Sequence, residues 1–264
     1  MSKSFELDLS KVEFSSNDLR SGIKIPKFLT NDLCYETGTH IGDGHLSCYR
    51  RPGSFLYQVA YSGDLKNEYD FYSRIMVPLL KGLYNKEFSI RKSTKNTLQI
   101  LMGSKAIVTF KLNSLGLPNR AKIGKVRIPG VIVDSSLELR KACLGGIVDT
   151  DFSLVFRHGK YPKITGEIPS ENVLLVNQIQ EILDEIGIKY NCSSYKRTDN
   201  RFRKKSYTDY KLDINGRDNL DKWMGEIGFR SPKHLVKLEL WKKYGFCKPF
   251  LSYNQREKLV NAPR

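Results

Sequence analysis

Two aspartates stand at matching places in two similar segments of the chain. The segments are ETGTHIGDGHLS, residues 36–47, and LGGIVDTDFSLV, residues 144–155. Aligning Asp43 with Asp151 gives an offset of 108 positions, at which Gly38 also falls on Gly146, Leu46 on Leu154 and Gly42 on Thr150. Two carboxylates brought together by a duplication could share a divalent cation, because hard cations bind oxygen ligands and activate water for hydrolysis.

A second pair of segments supports the duplication. LQILMGSKAIVTFKLNSLGL, residues 98–117, aligns without gaps to YKLDINGRDNLDKWMGEIGF, residues 210–229, at an offset of 112. Loop insertions between the two pairs would produce the drift from 108 to 112. Two ordered matches at nearly one spacing indicate a duplicated module.

Each copy is predicted to fold as α-β-β-α-β-β-α, an α+β module with an antiparallel sheet. The leading helices are expected to begin at Thr30 or Asn31 and at Asp134, Ser135 or Ser136. Strands are expected at 45–51, 54–62, 88–92 and 97–102, and again at 153–158, 163–168, 192–197 and 207–214. Middle helices are expected at 66–83 and 171–186. The resulting division is an arm (1–27), a first module (28–117), a linker (118–133) and a second module (134–264).

Small residues four positions apart form one stripe on each leading helix. The stripes consist of Cys34, Gly38 and Gly42 in the first copy and of Ala142, Gly146 and Thr150 in the second. Glycine inside a helix costs about 1 kcal/mol relative to alanine, so the stripes indicate close helix packing. We expect the two helices to meet, with both aspartates side by side at their ends.

A carboxylate at a helix C-terminus is unfavourable, because the helix dipole is already negative there. A cation shared between Asp43 and Asp151 removes this conflict, and an all-oxygen ligand set favours Mg²⁺. The alternative is that each aspartate only begins a turn. Its occurrence in both copies favours the metal site.

The charge of the chain points to a polyanionic partner. Its 264 residues include 44 Lys and Arg against 28 Asp and Glu, a formal net charge of +16. Neutralising phosphates releases counterions and drives binding, so nucleic acid is the first candidate. A merely basic soluble protein is the alternative.

Other classes of protein fit the sequence less well. No apolar run approaches the roughly 20 residues of a membrane-spanning helix. Glu6 and Asp8 interrupt the N-terminal segment, which therefore does not look like a secretory signal. Five scattered cysteines without a C-x-x-C pair indicate reduced thiols in the cytoplasm, not disulfides or a zinc cluster.

The segment LGGIVDTDF, residues 144–152, resembles the LAGLIDADG signature of homing endonucleases and departs mainly at Phe152, where the signature has glycine. ETGTHIGDG, residues 36–44, is a weaker match that retains Asp43 but has Ile41 at the first acidic position. The chain is therefore similar to the single-chain, two-motif members of this family over most of its length.

This resemblance implies an activity and partners. The two sheets would form a saddle over double-stranded DNA, and the protein would hydrolyse both strands at a specific site. Mg²⁺ would be the cofactor, with Mn²⁺ able to replace it and Ca²⁺ as a non-cleaving substitute. The protein would be a monomer with internal pseudo-twofold symmetry, encoded within an intron. The alternatives are an RNA-binding intron maturase and a DNA-binding regulator without cleavage activity.

The resemblance also implies roles for individual residues. The metal ligands would be the carboxylates of Asp43 and Asp151 and the backbone carbonyls of Gly42 and Thr150. Lys105 and its aligned partner Arg217 would stabilise the charge of the scissile phosphate. Ser62 and Glu167 are nearest to the family's water-ordering position, and neither is the Gln or Lys that is common there.

Strand side chains on the face away from the helices are expected to contact DNA bases. They are His45, Ser47, Tyr49, Arg51, Gln99, Ser153, Val155, Arg157 and Lys211. We interpret His45 as a DNA contact and not as a general base, because its counterpart is Ser153. Basic hairpins in both copies are expected to contact phosphates. Their residues are Arg91, Lys92 and Lys95 in the first copy and Lys196, Arg197, Arg201, Arg203, Lys204 and Lys205 in the second.

Overall fold

Two four-stranded antiparallel sheets follow one another in the computed structural model, which describes residues 4–199 and 205–263. The first sheet has the order β1-β2-β4-β3 and the second the order β5-β6-β8-β7. The strands of the first are β1 (Gly44–Arg51), β2 (Ser54–Asp64), β3 (Ile90–Lys92) and β4 (Thr97–Gly103). Those of the second are β5 (Phe152–Val155), β6 (Lys163–Pro169), β7 (Asn191–Asp199) and β8 (Lys205–Asn215). This repeated order confirms the predicted α+β class.

Both halves also contain helices. Those in the first half are α1 (Ser16–Arg20), α2 (Asn31–Gly42), α3 (Tyr69–Phe71), α4 (Val77–Tyr84) and α5 (Lys105–Thr109), with π-helical turns at Tyr72–Met76 and Phe110–Ser114. Those that follow are α6 (Gly130–Val133), α7 (Leu137–Asp151), α8 (Val173–Glu185), α9 (Arg217–Glu226), α10 (Pro232–Tyr244) and α11 (Tyr253–Asn261). We call residues 28–117 module one and residues 134–264 module two, following the division proposed from the sequence.

The two leading helices begin within the positions expected. Thr30 precedes α2 and its side chain accepts a hydrogen bond from the Leu33 N–H at 3.1 Å, which satisfies one of the free donors of the first turn. Ser136 precedes α7. Helix α2 ends at Gly42, so Asp43 caps it, whereas Asp151 is the last residue of α7. Both aspartates therefore lie at helix C-termini, as predicted.

The cores of the two modules differ in chemistry. In module one, Glu36 and Lys111 are fully buried and form an ion pair of 2.7 Å. Their counterparts at the repeat offsets are Leu144 and Trp223, both of which are also fully buried. Module two therefore has two buried apolar side chains at the positions where module one has a buried ion pair.

Segments outside the repeat pack against module one. In the N-terminal arm, Asp18 accepts a hydrogen bond from the Ala106 N–H at 3.2 Å, at the first turn of α5. At the other end of the chain, the Tyr253 N–H of α11 donates to Asn67 Oδ1 at 2.9 Å. Helix α11 of module two thus contacts module one.

The linker between the modules is well packed. The Arg120 N–H donates to the Leu46 carbonyl at 2.8 Å in module one, and the Gly124 N–H donates to Asn172 Oδ1 at 2.7 Å in module two. Val126 and Ile128 are buried. The linker therefore bridges both modules. Among the described residues, no helix is both long enough and apolar enough to cross a membrane.

Candidate active site

Helices α2 and α7 touch through their glycines. A Cβ atom added at Gly38 would lie 1.9 Å from the Cys143 carbonyl oxygen, and one at Gly146 would lie 2.1 Å from the Tyr35 carbonyl oxygen. Either contact is far inside van der Waals distance. The backbones therefore approach so closely that only glycine fits at these two positions.

The close approach continues to the ends of the helices. A Cβ atom at Gly42 would lie 2.0 Å from Thr150 Oγ1 and 2.8 Å from Asp151 Oδ1. The carboxylate of Asp151 therefore lies beside the last residue of α2, next to Asp43. The Tyr72 hydroxyl donates to Asp43 Oδ2 at 3.2 Å.

The electrostatics of the site reflect crowded negative charge. Burial and, after it, the carboxylates of Glu68 and Asp151 raise the pKa of Asp43 to about 7, against the opposing effect of Lys233 and Tyr72. Burial also raises the pKa of Asp151, against the opposing effect of Lys122 and Lys233. Negative charge on both aspartates is therefore unfavourable unless a cation compensates for it.

Two lysines lie at the two helix ends. Lys122 Nζ, from the linker, donates to the carbonyls of His40, Ile41 and Gly42 at 3.1, 2.8 and 2.5 Å. Lys233 Nζ, from α10, lies 3.3 Å from the Thr150 carbonyl. Each ammonium group thus sits where the helix dipole is negative, one at the end of α2 and one at the end of α7.

These two lysines are not among the residues predicted from the sequence, although the sequence contains a signal for them. Lys122 and Lys233 are 111 positions apart, within the 108 to 112 offset of the duplication. No motif accompanies this spacing, because one lysine falls in the linker and the other in a segment after the aligned repeat. The structure shows that they are related in the same way as Asp43 and Asp151.

The two basic residues expected at the phosphate have other partners. Lys105 begins α5, pairs with Glu13 at 2.5 Å and lies over the Tyr57 ring. Arg217 begins α9 and lies over the Trp241 ring, 5.2 Å from its centroid. None of these contacts involves Asp43 or Asp151.

The candidate water-ordering residues occupy equivalent places in the two sheets. The Ser62 N–H donates to the Asp43 carbonyl at 3.3 Å, and Gln99 Nε2 donates to Ser62 Oγ at 3.0 Å. In the second sheet Glu167 is directly opposite Lys211, as Ser62 is opposite Gln99 in the first. The structure thus places a polar cross-strand pair in each module.

Most of the side chains expected to contact DNA are accessible. The exposed ones are His45, Arg51, Arg91, Lys92, Lys95, Ser153, Arg157, Lys196 and Arg197. Those of intermediate exposure are Tyr49, Gln99, Val155 and Lys211. Ser47 is 8% exposed and lies 3.0 Å from His45 Nε2. Arg197 donates to the buried carboxylate of Asp209 at 2.7 Å. Arg201, Arg203 and Lys204 lie outside the described residues, as does the side chain of Lys205.

Asp149, the first acidic residue of the second motif, is buried and hydrogen-bonded to other parts of the protein. Asp149 accepts hydrogen bonds from the Tyr35 hydroxyl at 2.7 Å and from the Arg230 N–H at 2.8 Å. Burial raises its pKa to about 6. Tyr35 belongs to α2 and Asp149 to α7, so this contact ties the two leading helices together above the site.

The donor atoms at the helix ends suit a hard divalent cation. Two carboxylates and two carbonyls are all oxygen ligands, and a cation between them would relieve the repulsion that raises the pKa of Asp43. Within residues 4–199 and 205–263, no group of three or more His, Cys, Asp or Glu side chains is arranged to hold a metal ion. A cation here would therefore need water or substrate oxygens to complete its shell, as Mg²⁺ commonly does.

No protein-family model matches the chain. The chain is similar to a tRNA-splicing ligase RtcB of Pyrococcus furiosus, with 26% identity over 214 residues. The match covers 76% of this chain but 21% of the ligase, so the chain spans about a fifth of the length of this relative.

Comparison with solved structures shows the fold. The homing endonuclease I-DmoI in complex with DNA and Ca superposes with a TM-score of 0.53 and 16% identity, covering 75% of this chain and 88% of that one. I-DmoI with DNA and Mn gives a TM-score of 0.51 and 18% identity, covering 75% and 96%. The fold expected from the LAGLIDADG resemblance is thereby confirmed.

Proposed function

We propose that the protein is a homing endonuclease of the LAGLIDADG type that uses a divalent metal to hydrolyse both strands of a long double-stranded DNA site. One observation carries the proposal. The ends of α2 and α7 bring Asp43 and Asp151 together with a lysine at each helix end. The structures of I-DmoI, which has the same fold, contain DNA and Mn or Ca, which supports the proposed substrate and the use of a divalent cation.

The proposed metal ligands are the carboxylates of Asp43 and Asp151, with the carbonyls of Gly42 and Thr150. Bound Mg²⁺ or Mn²⁺ would supply a more acidic water and charge compensation at the phosphate, and Ca²⁺ would bind without supporting cleavage. Of the three hydrogen bonds that Lys122 donates, the one to the Gly42 carbonyl is the shortest, so a metal bound to this carbonyl would compete with the ammonium group. The carboxylates are therefore the stronger ligand candidates.

Lys122 and Lys233 are proposed to stabilise the negative charge of the scissile phosphates, one in each half of the site. Both are close enough to the aspartates to influence their pKa values. Lys105 pairs with Glu13, Arg217 lies over the Trp241 ring and neither contacts Asp43 or Asp151, so neither is proposed to stabilise the scissile phosphates. The pair of Ser62 and Gln99 and its counterpart Glu167 and Lys211 would orient water.

The DNA would lie on the strand faces, contacted by the exposed residues of both sheets and by the two basic hairpins. A net charge of +16 supplies the long-range attraction. Because both aspartates are on one chain, the active species is proposed to be a monomer. The proposal includes a gene located within an intron.

The test is cleavage of a library of randomised DNA duplexes, followed by sequencing of the ends produced. The wild type with Mg²⁺ or Mn²⁺ is expected to cut both strands at one site family. Asp43→Asn and Asp151→Asn are each expected to bind the selected site and not to cut it. Glu185→Gln removes an ion pair with Arg140 and is the control that should cut normally.

Three results would argue against the proposal. Binding without cleavage in every metal would indicate a DNA-binding regulator. Tight binding to structured RNA, with none to the duplex library, would indicate a maturase. Undiminished cutting by both aspartate variants would place the chemistry elsewhere in the chain.

A further inference from the structure

An ion pair joins the two modules beside the candidate active site. Glu68 Oε1, immediately before α3 in module one, lies 2.6 Å from Lys233 Nζ in module two. The two side chains are 13% and 14% exposed, so water screens the pair only weakly. This lysine is also the one at the end of α7, 3.3 Å from the Thr150 carbonyl.

Module one holds Glu68 in place through its second oxygen. Glu68 Oε2 accepts a hydrogen bond from the Asp64 N–H at 2.7 Å. It also lies against Gly63, where an added Cβ would come within 2.8 Å of it. The carboxylate is thus fixed by backbone on one side and by the ammonium group on the other.

The corresponding place in module two lacks a charge. Glu68 is the residue that precedes α3, and Asn172 is the residue that precedes α8. Asn172 uses its side-chain oxygen to accept the Gly124 N–H, two residues after Lys122. Within the described part of the chain, Lys122 has no carboxylate within ion-pair distance and is held by three neutral carbonyls. The two lysines are related by the duplication, but only one is paired with a carboxylate.

We infer that Glu68 is a positioning residue that holds Lys233 away from its phosphate, so that the two DNA strands are cleaved at unequal rates. This inference rests on the proposed function. The carboxylate cancels much of the charge that Lys233 could offer a phosphate, and the contact must loosen before the ammonium group moves. Lys122 is held by three neutral carbonyls, and none of the described carboxylates lies within ion-pair distance of it, so its charge is not cancelled in this way. The strand that depends on Lys122 is therefore cleaved first.

The experiment follows each strand of a cleavable duplex that carries a different label at each end. Lys122→Met and Lys233→Met first show which strand depends on which lysine. The wild type is expected to accumulate nicked duplex, broken in the strand that depends on Lys122. Glu68→Gln keeps an acceptor for the Asp64 N–H and is expected to speed the slow strand by about threefold to tenfold, so that less nicked duplex accumulates.

A second variant tests the same idea without touching Glu68. Asn172→Asp keeps the acceptor for Gly124 and places a carboxylate in the half that contains Lys122. It is expected to slow the fast strand and leave the slow strand unchanged. The melting temperature of each variant is recorded, and Glu185→Gln again serves as the control for the loss of a carboxylate.

Failure of the inference differs from failure of the proposed function. If the wild type cuts both strands at one rate, or if Glu68→Gln slows both strands equally, Glu68 does not act through Lys233. If the slow strand is unchanged in Glu68→Gln at an unchanged melting temperature, the ion pair does not limit it. Absence of any cleavage by the wild type would remove the proposed function itself.

Discussion

At the scale of single residues, the core of module one contains an ion pair of which both side chains are completely buried, Glu36 and Lys111. Lys111 Nζ donates to both carboxylate oxygens of Glu36 at 2.7 and 2.8 Å, and the Tyr84 hydroxyl also donates to this carboxylate. Burial lowers the pKa of Lys111, while Glu36 raises it. Each charge is therefore tolerated only because of the other.

Lys111→Met is expected to lower the free energy of unfolding by about 3–5 kcal/mol, because it leaves Glu36 buried without a cation. The double variant with Glu36→Leu is expected to be more stable than Lys111→Met alone, since Leu144 already fills the matching place in module two. Urea denaturation of both variants measures the difference. A double variant less stable than the single one would contradict this explanation.

Lys237 gives a pH dependence with a definite sign. Burial, Arg256 and Lys233 lower its pKa from 10.5 to about 8. Between these two values the unfolded chain binds more protons than the folded one, so this lysine makes stability rise with pH across that window. Lys237→Met is expected to be more stable at pH 7, and its stability should rise less steeply from about pH 8 to 10.5. Denaturation at a series of pH values measures this; equal slopes would contradict it.

The residues of the site were predictable to the extent that the duplication marks them. Asp43 and Asp151 stand out because two short motifs contain them, and both lie where helix spacing places them. Lys122 and Lys233 obey the same offset, but no motif surrounds them. Their role depends on how the linker and α10 return to the helix ends, which local sequence patterns do not encode.

At the scale of elements, the contact between α2 and α7 makes a clear prediction. Gly38→Ala is expected to lower the free energy of unfolding by at least about 2 kcal/mol, because its Cβ would meet the Cys143 backbone at 1.9 Å. Gly82→Ala in α4 is the matched control. Its Cβ would meet nothing within 4 Å, so it should stabilise the protein by about 0.5–1 kcal/mol. Thermal unfolding compares them, and similar shifts for both would show that the helices do not need this glycine.

The strands were predicted well where buried and more exposed side chains alternate along the sequence. In β4, Leu98, Ile100 and Met102 are buried and the residues between them are not, so the expected strand matches Thr97–Gly103. The helix expected at 66–83 is interrupted by a π-helical turn, Tyr72–Met76, because apolar periodicity does not distinguish α-helix from π-helix. Helices α10 and α11 have no counterpart in module one, so the repeat gave no information about them.

At the scale of the whole molecule, the outer strand pair is longer in module two than in module one. Strands β3 and β4 pair over three residues, whereas β7 and β8 pair over nine. Lys92 pairs with Leu98, whose counterpart at the offset of 112 is Tyr210, and Tyr210 pairs with Ser194. By register, therefore, Lys92 corresponds to Ser194, and five pairs extend beyond this point, from Tyr195 to Asp199. At about 3.3 Å per residue this adds roughly 17 Å, or about five base pairs of DNA.

If the protein binds DNA as proposed, module two should read a longer half-site than module one. Trimming base pairs from each end of a cleaved duplex measures this, with cleavage rate as the readout. On the side of module two, cleavage is expected to slow after about five fewer base pairs have been removed than on the side of module one. A variant with the β7–β8 hairpin shortened beyond Ser194 should lose this difference and identifies the side. Equal tolerance at both ends would contradict the prediction.

The connecting segment has a consequence for dissecting the gene. Lys122 lies on it, holds the C-terminal carbonyls of α2, and is followed by the buried Val126 and Ile128. A split version made of two separately expressed halves must therefore be divided after Ile128, so that the first polypeptide keeps its own ammonium group. If the chain were divided before Lys122, helices α2 and α7 could still pair through their glycines. Lys122 would then belong to the second polypeptide, although the carbonyls that it contacts belong to the first.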